Sequence, residues 1–129
     1  MPRRVSPQPT EVELSILRVL WERGPSSVRQ VHLALQHIRD TGYSTTLKMM
    51  QVMFEKGLLL RDENQRPQLY RPALPEEQTQ KQMIDDLIQR AFGGSARKLV
   101  MRAVQSERVS REDLAEIRKI LKKMEGGQP

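Results

Sequence analysis

Residues 44–61 read STTLKMMQVMFEKGLLLR and decide the fold. Ser44 is a favourable N-cap, and Gly57 suits the end of the helix that the apolar spacing predicts. Two helical phases are possible, and the buried residues are either Leu47, Met50 and Phe54 or Thr46, Met49, Met50 and Met53. We favour the second phase because it collects the polar residues on one face, formed by Thr45, Lys48, Gln51 and Glu55.

Two further helices are predicted upstream of this stretch. Thr10 with Glu13, and Ser27 with Gln30, have the spacing of capping boxes. The second of these helices has an apolar stripe of Val28, Val31 and Leu35. Downstream, residues 58–61 and 68–71 resemble two short strands around the polar loop 62–67. Three helices followed by a hairpin predict a winged helix-turn-helix domain over residues 8–73.

The second half of the chain predicts three more helices, over residues 74–126. They begin near Glu76, Ser95 and Ser110, and Gly93-Gly94 separates the first two. Ser110 with Asp113 has the spacing of a capping pair at the start of the last helix. Their apolar stripes must be buried against another surface. We therefore predict a helical dimerisation domain. Its predicted contact residues are Met83, Ile84, Leu87, Ile88, Ala91, Leu99, Val100, Ala103, Leu114, Ile117 and Leu121. The expected fold is therefore mainly α with one small β-hairpin.

Composition narrows the class of function. The net charge is +6, of which residues 1–72 carry +4 (11 Lys and Arg against 7 Asp and Glu). A basic domain attracts polyanions such as nucleic acid. The absence of cysteine excludes disulfides and thiolate metal sites. No catalytic set or phosphate-binding glycine loop is present, and no apolar run could span a membrane. We expect a cytoplasmic non-enzyme without a cofactor and without membrane insertion.

A helix-turn-helix places its second helix in the major groove of DNA. Here that recognition helix begins at Ser44, and Thr45, Lys48 and Gln51 would face the duplex. Arg61, Arg66 and Arg71 bracket the wing and are candidate phosphate contacts, as are Arg3 and Arg4 in a basic N-terminal arm. Two other interpretations stay open: a three-helix bundle with a solvated polar face, and a wing that only covers the helices.

Several segments resemble the penicillinase repressor family, which includes the repressors of β-lactamase and methicillin resistance. One is Leu20-Trp21 followed by Gly24-Pro25. Others are Tyr43-Ser44-Thr45-Thr46, the run from Glu55 to Leu59, and Tyr70 before Pro72. The last are Gly93-Gly94 ahead of Leu99-Val100 and a final helix from Ser110. The likeness covers nearly the whole chain.

The resemblance implies a homodimer that binds a palindromic operator and represses transcription by occluding the promoter. It also implies that the start of the recognition helix lies at the DNA, through Tyr43, Ser44, Thr45, Thr46 and Lys48. A membrane sensor protease is a candidate partner, since the resistance repressors are cleaved at an Asn-Phe bond. The corresponding residues 99–104 contain no such pair, and the cysteines of the copper-responsive branch are absent. A winged-helix protein-interaction module without specific DNA binding is the alternative.

Overall fold

A computed structural model describes residues 8–126 of the chain. The predicted arm residues Arg3 and Arg4 lie outside this range. Six helices and one hairpin follow each other in the predicted order. Their bounds are α1 (Glu11–Arg23), α2 (Val28–Leu35), α3 (Tyr43–Glu55), β1 (Leu59–Asp62), β2 (Leu69–Pro72), α4 (Glu76–Ala91), α5 (Ala96–Gln105) and α6 (Arg111–Gly126). The expected fold class is confirmed.

The predicted capping boxes of α1 and α2 are confirmed. At α1, the Glu13 amide donates to Thr10 Oγ1 at 3.2 Å and the Thr10 amide donates to Glu13 Oε1 at 2.9 Å. Ser27 and Gln30 repeat this exchange at α2, with distances of 2.9 and 3.2 Å. Each box satisfies amides that have no partner inside the helix, and it thereby fixes where the helix begins.

The start of α3 differs from the prediction. The N-cap is Gly42 rather than Ser44, and no side chain caps this end. Gly42 is extended, and its carbonyl accepts from the Thr46 amide at 3.1 Å and from Thr46 Oγ1 at 3.3 Å. Because the first helical hydrogen bond closes on Gly42, Ser44 lies inside the first turn. At the other end, Gly57 has the predicted helix-ending role, with a positive φ of 87°.

The core of the first half lies between the three helices and the hairpin. Ile16 and Leu20 of α1, Val31 of α2 and Met50 and Met53 of α3 are at most 1% exposed. Thr46 is also fully buried and Met49 is half-buried, which confirms the favoured phase of α3. Buried methionines fill irregular space between packed helices.

The hairpin is antiparallel, with Arg61 opposite Tyr70. Tyr70 also exchanges two backbone hydrogen bonds with Ser26, at 2.8 and 3.0 Å. This short ladder ties the α1–α2 connection to the wing, and the sequence had not predicted it.

Residues 72–75 connect the hairpin to α4. The Ala73 amide donates to the Leu58 carbonyl at 2.9 Å, and Trp21 Nε1 donates to the Leu74 carbonyl at 3.0 Å. The segment is thus bonded to the first half at two points. The chain divides into two compact units after Met83, within α4. The domain boundary expected at residues 73–74 stays a prediction.

The second compact unit begins at Ile84. Ser95 caps α5 by accepting from the Lys98 amide at 3.1 Å. Ser110 and Asp113 form the predicted reciprocal cap of α6, with both distances 3.0 Å. Neither α5 nor α6 buries any residue. Both helices have N-terminal caps. Their apolar stripes, in contrast, are not fully buried by other residues of the described chain.

Candidate nucleic-acid interface

The predicted polar face of α3 faces solvent. Thr45, Lys48, Gln51 and Glu55 are all exposed, as is Ser44 in the first turn. Lys48 forms no ion pair with any residue in the described range 8–126. The charge of Lys48 is thus available to a phosphate. The Thr45 hydroxyl and the Gln51 amide are available to base edges.

Two residues at the start of α3 have different surroundings. Tyr43 is 46% exposed, and its ring packs edge-on against His32 with 5.8 Å between the ring centroids. Tyr43 therefore remains available to a duplex, while His32 limits its orientation. Thr46 is fully buried, and its hydroxyl donates to Gly42 within its own helix. The Thr46 side chain cannot reach DNA in this conformation, which corrects its assignment to the interface.

Two of the three arginines assigned to the wing, Arg61 and Arg66, have different surroundings. The Arg61 guanidinium lies 3.9 Å from the centre of the Phe54 ring. It also donates from Nε to Glu63 at 2.9 Å and from an Nη to the Tyr70 hydroxyl at 3.4 Å. The hydrogen bonds that Arg61 donates to Tyr70 and Glu63 raise the pKa of its guanidinium group. The side chain is 22% exposed, and it joins the hairpin to α3 instead of offering a free charge.

Arg66 lies at the exposed tip of the wing. The tip is ordered by Asp62, whose carboxylate accepts from the Asn64 amide at 3.0 Å and from Gln65 Nε2 at 3.2 Å. Both carboxylate oxygens of Asp62 are thus occupied by the loop. Within the described part of the chain Arg66 has no ion-pair partner, so it fits the predicted role of a phosphate contact.

A groove of about 360 Å³ lies between α2, α3 and β2. Its lining includes Tyr43 and Gln51, which were predicted, and Arg29 and Gln68, which were not. Arg29 stands in the first turn of α2 and is exposed. A basic residue on the solvent side of a capped helix was the available sequence signal, but it is a common feature and did not single out Arg29.

An ion pair connects the first turn of α1 with the residue that ends α3. Lys56 Nζ lies 2.6 Å from Glu13 Oε2, and the Glu13 side chain is 8% exposed. Burial raises the pKa of the Glu13 carboxyl, but hydrogen bonds from Lys56 and Thr10 outweigh burial, and the pKa lies below its ordinary value. Glu13 thus serves both the cap of α1 and the contact with the end of α3.

The predicted dimer contacts are distributed over α4, α5 and α6. Four of them are half-buried in the described chain: Met83, Ile88, Leu99 and Ile117. The others are exposed: Ile84, Leu87, Ala91, Val100, Ala103, Leu114 and Leu121. Exposed apolar side chains in this number on neighbouring helices are typical of a surface that a partner covers.

A metal site and a membrane-spanning helix would be two other functional features of the described residues. Within residues 8–126, no cluster of three His, Cys, Asp or Glu side chains is placed to hold a metal ion. No helix in the same range is both long and apolar enough to cross a membrane.

The whole sequence is similar to known regulators. It matches the Penicillinase repressor family over residues 9–123. It is 32% identical to the transcriptional regulator BlaI of Mycobacterium tuberculosis over 119 residues, covering 91% of this chain and 85% of that protein. It is 22% identical to the penicillinase repressor of Bacillus licheniformis, covering 89% and 90% of the two chains. It is 21% identical to the methicillin resistance regulatory protein MecI of Mammaliicoccus sciuri, covering 88% and 93%.

These relatives are named as regulators and repressors, and the prediction of a non-enzyme is confirmed by them. The helix order and the hairpin of the first unit agree with this match. The chain belongs to the penicillinase repressor family of transcriptional regulators.

Proposed function

We propose that the chain represses transcription as a homodimer that binds a palindromic operator and occludes the promoter. The observation that carries this proposal is the exposed polar face of α3, on which Lys48 has no ion-pair partner in residues 8–126. Arg66 at the wing tip extends the positive surface. In this arrangement phosphate contacts supply salt-sensitive affinity, and side chains at base edges supply the choice of sequence.

The homodimer is supported by the second unit. Leu87 is 45% exposed, Val100 52% and Leu121 53%, and α5 and α6 bury no residue. A second copy presents the same surface, so a two-fold dimer covers these side chains on both chains. Such a dimer also presents two recognition helices to two half-sites, which is the reason for proposing a palindromic operator.

The test is Lys48→Ala in a duplex-binding assay at several salt concentrations. The duplex is one selected from a random pool by the wild-type protein. We predict that affinity falls by more than about tenfold at 0.15 M salt, because a dimer loses two phosphate contacts. The slope of log affinity against log salt should fall by about two.

Arg18→Ala is the matched control, since it removes one positive charge per chain from an exposed position on α1. It should leave the slope unchanged. If both variants bind alike, Lys48 does not contact the duplex. If the wild-type protein enriches no duplex at all, the chain is a protein-interaction module and the operator proposal fails.

We further propose a membrane sensor protease as the partner that releases the repressor from DNA, with the repressor itself in the cytoplasm. This rests on the family resemblance, and residues 99–104 lack the Asn-Phe pair. Mass spectrometry of the chain before and after induction tests it. A chain that stays intact while transcription is released rules the protease out.

A further inference from the structure

A strip of three side chains that each carry a methyl group runs along α3 at the edge of its polar face. Thr45, Met49 and Val52 are spaced i, i+4 and i+7, so they lie nearly in line along the helix. Thr45 is exposed, Met49 is half-buried, and Val52 is 38% exposed and outside the buried core. Lys48 and Gln51 flank the strip with polar groups. An apolar side chain thus stands inside the proposed DNA-binding face.

Val52 is not explained by helix stability or by packing. A β-branched residue is less favourable in a helix than Lys, Gln or Glu, because its side chain loses rotamer freedom against the preceding turn. Its neighbours Met50 and Met53 are fully buried, whereas Val52 points away from them. A single exposed valine is common on protein surfaces. Val52 differs from such a residue because the other residues on its face of α3 are proposed to contact base edges.

The chemistry of the major groove offers one apolar group at base edges, the C5-methyl of thymine. Thr45 and Val52 are two helical turns apart, roughly 10.5 Å along the axis. Base pairs are spaced at about 3.4 Å, so the strip spans about three of them. Glu55 is exposed one turn beyond Val52, and its carboxylate disfavours a phosphate at that end of the strip. The surroundings of Val52 therefore favour a base edge over the DNA backbone.

We propose that Val52 is a specificity-determining residue that packs against the 5-methyl group of a thymine in each operator half-site. This inference rests on the proposed function, and it names a base contact of the same surface. The contact distinguishes thymine from cytosine and from uracil, both of which lack the methyl group. It acts beside the polar contacts of Lys48 and Gln51 and does not replace them.

The experiment combines a protein change with a DNA change. Duplexes are first selected from a random pool by the full wild-type chain, and each thymine of one half-site is then replaced by deoxyuridine. At one position the replacement should weaken wild-type binding about fourfold, the effect of losing one buried methyl group. Val52→Thr has nearly the same shape but keeps only one of the two methyl groups of valine. This variant should bind the thymine duplex more weakly and show less discrimination against deoxyuridine at that position.

Leu33→Ala is the control, because it shortens a 48% exposed apolar residue on α2 and should keep the full fourfold discrimination. Circular dichroism of each variant checks that the fold is unchanged. Equal discrimination in wild type and Val52→Thr at every thymine overturns the inference while leaving operator binding intact. Selected half-sites without thymine overturn it as well. If no duplex is enriched, the proposed function fails first and the inference with it.

Discussion

The two units of the chain differ in how far they bury their apolar side chains. In the winged-helix unit, the side chains of α1, α2, α3 and the hairpin form a buried cluster in which Ile16, Val31, Met50 and Met53 have no exposed surface. In α5 and α6 no residue is buried, although α5 carries Leu99 and Val100 and α6 carries Leu114 and Leu121. The first unit can hold its fold with its own residues.

The difference indicates which part of the chain depends on assembly. Burying an apolar side chain of the size of leucine contributes about 2 kcal/mol, and the second unit gains little of this within one chain. A small helical segment with uncovered stripes is stabilised by association with a second copy. DNA contacts are therefore proposed for the self-sufficient unit, and dimerisation for the unit that needs a partner.

The largest expected effect comes from placing a charge on the uncovered stripe. Leu121 is 53% exposed in the single chain, so Leu121→Asp costs little if this surface stays in water. In a dimer interface each copy buries an unpaired carboxylate, at a cost of about 3 kcal/mol or more. We expect dimer affinity to fall at least a hundredfold in sedimentation velocity.

Ala115→Asp is the matched control, because residue 115 faces away from the 114, 117 and 121 stripe of α6. It should dissociate at the wild-type concentration. A Leu121→Asp chain that remains dimeric would show that α6 is not at the interface. The contrast between the two units would then need another explanation.

The next largest effect concerns the self-sufficient unit. Glu13→Gln keeps an acceptor for the Thr10 amide but removes the charge that pairs with Lys56. Because Lys56 is still 41% exposed and water screens the pair, we expect a loss of about 1 kcal/mol in the free energy of unfolding. Urea denaturation at fixed protein concentration measures it, and Glu11→Gln in the same turn is the control.

The loss should depend on pH in a defined direction. The folded pKa of Glu13 lies below its ordinary value near 4.5, so the carboxylate stabilises the fold fully above that value. As the pH falls through the lower folded pKa, the wild type loses this contribution and the gap to Glu13→Gln closes. A gap that widens on acidification would contradict the assigned ion pair.

The sequence predicted those features that depend on neighbouring residues. The capping pairs at Thr10, Ser27 and Ser110 were found because each joins residues three positions apart. The phase of α3 was found from the segregation of polar residues around Lys48. The start of α3 was missed, because Gly42 closes the first turn by backbone bonding alone and gives no side-chain signal.

Features that join distant segments could not be read in the same way. The ladder between Ser26 and Tyr70 and the contact of Arg61 with Phe54 exist only after the wing has packed on α3. Thr46 was assigned both to the buried phase and to the DNA, and only its packing decides between them. Likewise, the apolar stripes predict that the last helices are covered by another surface, but they do not identify that surface.

Within the wing, one arginine is held by neighbouring side chains and another is exposed. Substitutions of these two arginines should have the smallest effects. Arg61 is held by Phe54, Tyr70 and Glu63, whereas Arg66 is exposed at the tip. Arg61→Ala should slightly lower the free energy of unfolding through the lost ring contact. Arg66→Ala should leave unfolding unchanged and weaken duplex binding a few-fold, with a smaller salt slope.

Urea denaturation and salt-dependent duplex binding on both variants separate the two roles. Each arginine acts as the control for the other, because both changes remove one positive charge from the same hairpin. If Arg61→Ala reduces the salt slope as much as Arg66→Ala does, then Arg61 leaves its aromatic contact when DNA binds. If Arg66→Ala has no effect on binding, the wing only supports α3, and recognition depends on the helix face around Lys48.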